Sequence, residues 1–242
     1  MDDHKSYSGS EHLSNIELFY SKPENFREDE VILEGEECRH AVKVMRHHPG
    51  DEIFVTNGEG KISNGNINKI LKDTLSVTIK KEFIYENKFS GVTFCLPKLK
   101  NPERFEFALE KCAELSITNF IVFESERTVS KAYKLDRWNK ILLSAMKQSL
   151  QSFLPRISIV NSIEEIKNME GKKIVFEQNA GNIFQGLHGD TTRKYYFLFG
   201  PEGGLSQNEL EIFSADELFK LADNRLRSET AIVKCASLIT AV

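Results

Sequence analysis

The chain has 242 residues, of which 40% are hydrophobic and 28% are charged, and its formal net charge at pH 7 is -4. This composition is typical of a globular protein with one large or two ordinary domains, and it excludes a nucleic-acid-binding protein that depends on overall basic charge. No run of about 18 apolar residues predicts a membrane-spanning helix. Because no signal pattern precedes the first domain, we expect a cytoplasmic location.

The amino-terminal part of the chain has a β-type pattern. Residues 1–15 are polar and aperiodic, so we interpret them as a disordered extension or a remnant left from cloning. Short apolar runs over residues 16–82 are separated by turn signals, among them Asn57-Gly58 and Asn64-Gly65. The pattern predicts a small β-barrel, interrupted by one helical insert from Glu36 to Arg46.

The rest of the chain has a different pattern. Residues 83–89 are polar and are interpreted as a linker, and strand and helix signals alternate over residues 90–242. This alternation predicts an α/β domain with a mostly parallel sheet and helices on both faces. Asn101-Pro102 predicts one helix start, and a long helix is predicted from Leu135 to Leu154. Ser162 with Glu165 predicts a capping box.

The last helix, predicted from Ser228 to the end of the sequence, has hardly any polar face. Such a helix is expected to be buried all round, and a homodimer interface would achieve this. The alternative is an unusually central core helix within one chain.

A glycine-rich segment, Phe199-Gly200-Pro201-Glu202-Gly203-Gly204-Leu205-Ser206, follows a short apolar strand signal. Ser206 and Glu209 predict a capping box at the start of the next helix. The glycines permit positive φ and close backbone approach, so the loop could hold a polar ligand. The alternative is a tight turn without a ligand.

Two arginines, a glutamate and two hydroxyls occur in a second segment, from Leu221 to Ala231. No Walker loop, dinucleotide fingerprint, metal-ligand spacing or serine-hydrolase elbow is present in the sequence. The four cysteines form no Cys-x-x-Cys pair, which favours buried thiols, so no metal is expected.

These two segments resemble motifs of the RsmE family of 16S rRNA uracil-N3 methyltransferases, which belong to the SPOUT superfamily. The shared motifs are Gly-Pro-Glu-Gly-Gly-Leu-Ser at residues 200–206 and Leu-Arg-Ser-Glu-Thr-Ala at 226–231. Shorter similarities occur at residues 45–51, 111–115, 124–127 and 145–149, so the resemblance covers nearly the whole chain from Ile16. The chain departs from the family pattern at Ser116, Lys147, Gln151, Ala222 and Asn224-Arg225.

The resemblance implies a SPOUT-type knotted methyltransferase domain with a deep trefoil knot, preceded by a PUA-like β-barrel. It also implies an S-adenosyl-L-methionine cofactor and a uridine of 16S rRNA, free or in the small ribosomal subunit, as substrate. By position, it assigns cofactor binding to residues in three segments: Phe176, Glu177, Phe199, Gly200, Pro201, Glu202, Gly203, Gly204, Leu205, Leu221, Leu226, Ser228, Thr230 and Ala231.

We hypothesise that Arg227 orients the base and stabilises its developing negative charge, while Glu229 fixes that arginine or accepts the imide proton. A helix-start ion pair is the alternative for both residues. The alternative functions are a SPOUT methyltransferase acting on another RNA or a ribose 2′-hydroxyl, and a non-catalytic RNA-binding ribosome assembly factor.

RNA binding must depend on local positive charge, because the chain as a whole is acidic. The candidates are basic side chains in the helical insert and after the first strands of the α/β domain: Arg39, His40, Lys43, Arg46, Lys98, Lys100, Arg104 and Arg127. A solvated surface without a ligand is the alternative.

Overall fold

The computed structural model describes residues 6–8, 13–128, 133–187 and 191–241. Contacts divide the chain into two compact units, residues 1–87 with 146–154 and residues 88–145 with 155–242. No sequence pattern indicated that residues 146–154 belong with the first unit. None of the helices within the described ranges has both the length and the hydropathy needed to cross a bilayer.

The first unit contains one six-stranded sheet in which strands β1 to β6 are mainly antiparallel. Its strands are β1 (Ser6–Ser8), β2 (Leu18–Tyr20), β3 (Glu30–Glu34), β4 (Glu52–Thr56), β5 (Lys61–Ile70) and β6 (Thr74–Ile84). The order is β1-β6-β5-β4-β2, and β3 also pairs with β6. Alternate apolar residues of these strands form the core of the unit, including the fully buried Phe19, Val31, Val55 and Leu75. The predicted β-type domain is confirmed.

Within the predicted extension 1–15, Ser6–Ser8 pair in parallel with Glu82–Ile84, and residues 13–15 are also described. The remainder of that prediction lies outside the described residues. β6 continues to Ile84, so the first residues of the predicted linker 83–89 belong to a strand.

The prediction of a turn at Asn64-Gly65 is wrong, because both residues lie inside β5. The register of β5 against β6 shifts between them, as it does at a β-bulge. A Cβ atom on Gly65 would lie 2.2 Å from the carbonyl oxygen of Thr78, so the close approach of the neighbouring strand requires glycine here. An Asn-Gly pair is a typical turn signal, but here the same two residues form a bulge within a strand.

The helical insert of the first unit begins as α1 (Gly35–Arg39) and continues as a π-helical turn, His40–Val44. It ends two residues before the predicted end, and Arg46 has a positive φ of 60°. π-Helical turns are rare and frequently occur at functional sites. The insert therefore presents its basic side chains from an unusual backbone.

The second unit contains a seven-stranded sheet whose pairs are all parallel. Its strands are β7 (Val92–Pro97), β8 (Asn119–Phe123), β9 (Arg156–Ile159), β10 (Lys172–Phe176), β11 (Asn182–Ile183), β12 (Tyr195–Leu198) and β13 (Leu218–Lys220). Its helices are α2 (Pro102–Glu114), α3 (Leu135–Gln148, which continues into the first unit), α4 (Ile163–Asn168), α5 (Gln207–Glu211) and α6 (Ser228–Thr240). The strand order is β11-β13-β10-β12-β7-β8-β9.

Two apolar clusters cover the two faces of this sheet. Phe94 and Leu96 of β7 pack in the cluster that includes α2, α3 and α6, whereas Cys95 packs in the cluster that includes α4 and α5. Successive strand residues point to opposite faces, so helices cover both sides. The predicted α/β class is confirmed, while the trefoil knot stays a prediction.

Two of the three predicted helix caps are present in the structure. Asn101 caps α2 as predicted, since its Oδ1 accepts from Glu103 N at 2.8 Å. The capping box at Ser206 is also confirmed. The prediction of a capping box at Ser162 is wrong. The Ser162 side chain makes no capping hydrogen bond, and the Glu165 carboxylate accepts from Asn161 N instead. An unpredicted box occurs at Ser214.

The long predicted helix ends early, because α3 stops at Gln148 rather than at residue 154. Leu150 has a positive φ of 56°, which a continuing helix does not permit. The last helix, α6, packs against α2, with Ile232, Cys235, Ala236 and Ile239 buried. Thr230, Lys234 and Ser237 are exposed at helical spacing, so within one chain only one face of α6 is buried. The homodimer stays a prediction.

Candidate functional site

A cleft of about 800 Å³ lies in the second unit. Three of the segments that form it directly follow β10, β12 and β13, and they contribute residues 176–179, 199–205 and 221–222. Because parallel strands present their carboxyl ends at one edge of a sheet, these segments converge there, which is where α/β proteins bind ligands. The volume is within the range of small-molecule sites.

The glycine loop, residues 200–204, forms a tight turn at one wall of the cleft. Gly204 has a φ of +72°, and its amide donates to Pro201 O at 2.8 Å. A Cβ on Gly200 would lie 3.0 Å from Leu205 N and 3.1 Å from Gly204 Cα. Glycine is therefore favoured at residue 204 by its left-handed conformation and at residue 200 by tight packing against its neighbours.

Three side chains from two other segments hold the carbonyl groups of the glycine loop. Ser228 Oγ donates to Gly200 O at 3.0 Å, and Arg225 Nη2 donates to Glu202 O at 3.3 Å. Arg127 Nη1 donates to Gly203 O at 2.6 Å. The Glu202 carboxylate in turn accepts from the backbone amide of Lys100 at 3.0 Å. The loop is thus fixed by tertiary contacts as well as by its glycines.

The inner wall of the cleft is apolar. Phe176 and Phe199 stack with ring centroids 4.9 Å apart, and Leu205 and Leu221 are buried beside the cleft. Leu226 is half-buried and lines it from the second segment. Such a surface favours the flat, largely apolar rings of a ligand such as a nucleoside.

The rim of the cleft is rich in arginine. Guanidinium groups come from the start of α2, from the segment after β8 and from the segment before α6: Arg104, Arg127, Arg225 and Arg227. Two carboxylates, those of Glu177 and Glu202, also line the cleft. Positive side chains therefore outnumber negative ones here, although the whole chain has a net charge of -4.

Glu229 is buried at the start of α6 and does not line the cleft. Its Oε1 lies 3.5 Å from Arg104 Nε, while its Oε2 is buried without a hydrogen-bond partner among the described residues. Arg227, which we expected to pair with it, is exposed at the cleft instead. The charge of Glu229 thus acts on Arg104.

The structure brings together nearly all residues that the resemblance assigned to the cofactor. Every one of them lines the cleft except Thr230, which is exposed on α6. Arg225 of the predicted second segment lines it too, and so do Gln178, Asn179 and Gln207, although no motif indicated these last three. Gln178 and Asn179 could have been found from their place directly after a parallel strand.

The candidate RNA-binding residues fall into two groups. In the second unit, Arg104 and Arg127 line the cleft and Lys100 is exposed near Glu202. Lys98 differs, because it is 3% exposed, its ammonium donates to the Glu124 carboxylate, and it lies over the Tyr133 ring. A buried, paired lysine cannot reach a phosphate, so Lys98 is left out of what we propose below.

In the first unit, Arg39, Lys43 and Arg46 are exposed on the helical insert. Val44 and Met45 lie among them and are 64% and 41% exposed. His40 is half-buried, and its Nδ1 has no hydrogen-bond partner among the described atoms. Exposed cations interleaved with apolar side chains suit contacts to both phosphates and bases.

All four cysteines are buried and free. Burial raises the pKa of Cys95, Cys112 and Cys235, and it is also the main cause of the raised pKa of Cys38. Neutral, buried thiols are poor nucleophiles. Among the residues that the structure describes, no group of three or more His, Cys, Asp or Glu could hold a metal ion.

A parallel sheet with a glycine loop, an apolar wall and an arginine-rich rim at its carboxyl edge defines an α/β ligand-binding domain suited to a nucleoside-like ligand and an anionic partner. The family models are more specific. Residues 86–240 match the RNA methyltransferase domain, and residues 33–80 match the RNA methyltransferase PUA domain. The chain belongs to this RNA methyltransferase family, and the resemblance described above is confirmed.

Individual relatives agree with the family match. Ribosomal RNA small subunit methyltransferase E of Bacillus subtilis is 27% identical over 86% of this chain and 88% of its own length. The enzyme of the same name from Aquifex aeolicus is 26% identical over 93% of this chain and 99% of its own length. The crystal structure of the Neisseria gonorrhoeae enzyme of that name, bound to S-adenosyl methionine, has a TM-score of 0.80 and 27% identity, and covers 93% of this chain and 95% of its own.

Proposed function

We propose that this protein transfers a methyl group from S-adenosylmethionine to N3 of a specific uridine in 16S ribosomal RNA. The observation that carries the proposal is the cleft itself, in which an apolar wall and a glycine loop meet four arginines in a chain of the RNA methyltransferase family. The relative crystallised with S-adenosyl methionine supports the choice of cofactor.

The residues of the cleft fit this cofactor chemically. Leu205, Leu221 and Leu226 would cover the adenine ring, and the backbone of the glycine loop would contact the adenosyl group at close range. Glu177, directly after β10, would accept from ribose hydroxyls. When bound, S-adenosylmethionine supplies an activated methyl group, so the protein must mainly align the acceptor nitrogen.

Arg227 is the proposed catalytic residue. It is exposed at the cleft, where its guanidinium can orient the uracil and stabilise negative charge on the carbonyl oxygens as the N3 proton leaves. Glu229 is proposed to act through its ion pair with Arg104, which it holds at the rim. No thiol nucleophile is needed, because uracil N3, once its proton has passed to solvent water, would itself be the nucleophile for the methyl group.

RNA binding is proposed for exposed cations in both units. In the PUA-like unit, RNA phosphates would be bound by Arg39, Lys43 and Arg46, with His40 beside them. Near the cleft, they would be bound by Lys100, Arg104 and Arg127. The proposed PUA-like domain of residues 16–82 is extended to Ile84 and joined by residues 146–154, and the proposed methyltransferase domain is the rest of residues 90–242. Within the second domain we propose the trefoil knot that the family resemblance implies.

A homodimer formed through the second unit is also proposed, in a cytoplasmic protein. Phe107 on α2 is 48% exposed, and α2 packs against the apolar helix α6. A second copy would cover this surface. Sedimentation equilibrium should give twice the chain mass, and Phe107→Glu should shift the protein toward the monomer. A wild-type monomer at high concentration would contradict the dimer.

The proposed reaction is tested with purified protein, methyl-labelled S-adenosylmethionine and either free 16S rRNA or small ribosomal subunits. We expect saturable cofactor binding by calorimetry and incorporation of label into the rRNA. Cofactor binding without label in either substrate would instead indicate a non-catalytic assembly factor. Label in another RNA alone would indicate a different substrate.

A further inference from the structure

We propose that Glu209 is a positioning residue that ties the segment Ser125–Arg127 to the glycine loop and so presets the cleft for the methyl donor. This inference rests on the proposed function, because it concerns the affinity of the same cleft for the cofactor. The capping motif explains only part of what Glu209 contacts.

The Glu209 carboxylate is 4% exposed and uses both of its oxygens. Oε2 accepts from Ser206 N at 2.7 Å, which is the bond that the helix cap requires, and also from Ser125 Oγ at 3.0 Å. Oε1 accepts from the backbone amide of Glu126 at 3.0 Å. Oε2 therefore serves both the helix start and Ser125, whereas Oε1 serves only Glu126, which is 83 residues away in sequence.

Arg127 follows directly after the residue that Glu209 holds. Its Nη1 donates to Gly203 O at 2.6 Å, and it also lines the cleft. Segment 125–127 thus has two attachment points, Glu209 in α5, which follows the glycine loop, and Gly203 within the loop. Fixing the first point limits the positions that Arg127 can take at the second.

The substitution Glu209→Gln separates the two roles. A carboxamide has one accepting oxygen and one donating nitrogen, but both Glu209 oxygens accept from backbone N–H groups. Glutamine also serves at this position of a capping box, so its oxygen can keep the bond to Ser206 N. Its NH2 group then faces the Glu126 N–H, so the bond to Glu126 is lost, while the bonds of the other oxygen to Ser206 N and Ser125 Oγ are kept.

The chain offers a matched control in Glu217, which forms the second capping box. Its Oε2 accepts from Ser214 N at 2.9 Å and from Lys167 Nζ at 2.7 Å. Glu217 does not line the cleft, and neither do Ser214 and Lys167. Glu217→Gln therefore makes the same chemical change in the same motif without changing any contact to the glycine loop.

The experiment measures S-adenosylmethionine affinity by calorimetry and exchange of the Glu126 amide hydrogen in the free protein. Wild-type protein, Glu209→Gln, Glu217→Gln, Arg127→Ala and the double variant Glu209→Gln with Arg127→Ala are compared. We expect Glu209→Gln to weaken binding by up to about tenfold, the value of one hydrogen bond, and to accelerate exchange at Glu126. Glu217→Gln should do neither.

If Glu209 acts through Arg127, the double variant should bind no more weakly than the weaker single variant. Faster exchange at Glu126 with wild-type affinity, or losses that multiply in the double variant, would overturn the inference. If Glu209→Gln does not fold, Ser125→Ala is the second variant, because it removes the Ser125 Oγ donor and leaves the helix cap in place. It should weaken cofactor binding about threefold, which is a fraction of one hydrogen bond. Unchanged binding would overturn the inference. A wild-type protein that binds no cofactor would instead contradict the proposed function.

Discussion

The glycine loop and the arginine loop, residues 222–227, form two walls of one cleft by different means. In the glycine loop, one positive φ and three carbonyls held by side chains from other segments fix the backbone. In the arginine loop, Asp223, Asn224, Arg225 and Arg227 are all exposed. The first wall contributes shape and the second contributes charge.

This difference separates binding from chemistry. A change in the glycine loop alters the backbone that the cofactor is proposed to contact. Arg225 of the arginine loop also holds that backbone, through Glu202 O, whereas removing the charge of Arg227 breaks no hydrogen bond to the glycine loop. We therefore expect variants of the glycine loop and of Arg227 to affect different measurements. Variants that affected both equally would contradict the comparison.

The largest effect is expected for Arg227→Ala. Loss of a group that stabilises developing charge should lower the rate of methyl transfer by about 10²- to 10³-fold, with cofactor affinity and thermal stability close to wild type. Steady-state methylation and calorimetry measure the two quantities. Arg156→Ala, which removes an exposed arginine on β9, is the control and should retain the rate. Wild-type methylation by a folded Arg227→Ala protein would remove Arg227 from the chemistry.

RNA affinity is expected to depend on the helical insert of the first unit as well as on the cleft. Neutralising Arg39, Lys43 and Arg46 together with glutamine should weaken rRNA binding and reduce the slope of log affinity against log salt by about two to three. Filter binding at several salt concentrations measures the slope.

The control for that variant removes equal charge from exposed lysines elsewhere in the first unit, Lys22, Lys69 and Lys72. If both triple variants change the slope equally, net charge rather than the helical insert governs RNA binding.

A smaller effect is expected for Gly204→Ala. Alanine at a φ of +72° costs about 1 kcal/mol of strain, which should shift the glycine loop and weaken cofactor binding by up to about tenfold. Gly50→Ala is a matched control, because Gly50 also has a positive φ, at +97°, belongs to the first unit and does not line the cleft. Calorimetry should find wild-type affinity for the control.

The smallest effect is expected from thiol modification. Burial raises the pKa of all four cysteines, so at neutral pH the thiols are protonated as well as inaccessible. Treating the native protein with an alkylating reagent should leave methyl transfer unchanged, and all four thiols should react after unfolding. Rapid inactivation linked to one alkylated cysteine would point to a thiol in the reaction.

The parts of the fold that local sequence determines were predicted well. The strand before the glycine loop, the capping box at Ser206 and the Asn101 cap need only neighbouring residues, and all three are confirmed. Asn64-Gly65 shows the limit of local signals, since a glycine required by the close approach of Thr78 looks the same in sequence as a glycine in a turn.

The cleft was predicted only where a motif marks it. Gln178 and Asn179 line it because β10 lies between β12 and β13, and strand order is not written in the hydrophobic pattern. The pairing of Glu229 with Arg104, rather than with the nearby Arg227, likewise depends on how α2 packs against α6. Long-range packing decided both.

The central claim, that this cleft methylates uracil at N3, is tested most directly by nucleoside mass spectrometry. 16S rRNA that lacks the modification is incubated with the protein and S-adenosylmethionine, digested to nucleosides and compared with standards. The account predicts 3-methyluridine, formed by wild-type protein and lost with Arg227→Ala. A 2′-O-methylated nucleoside as the only product would contradict it.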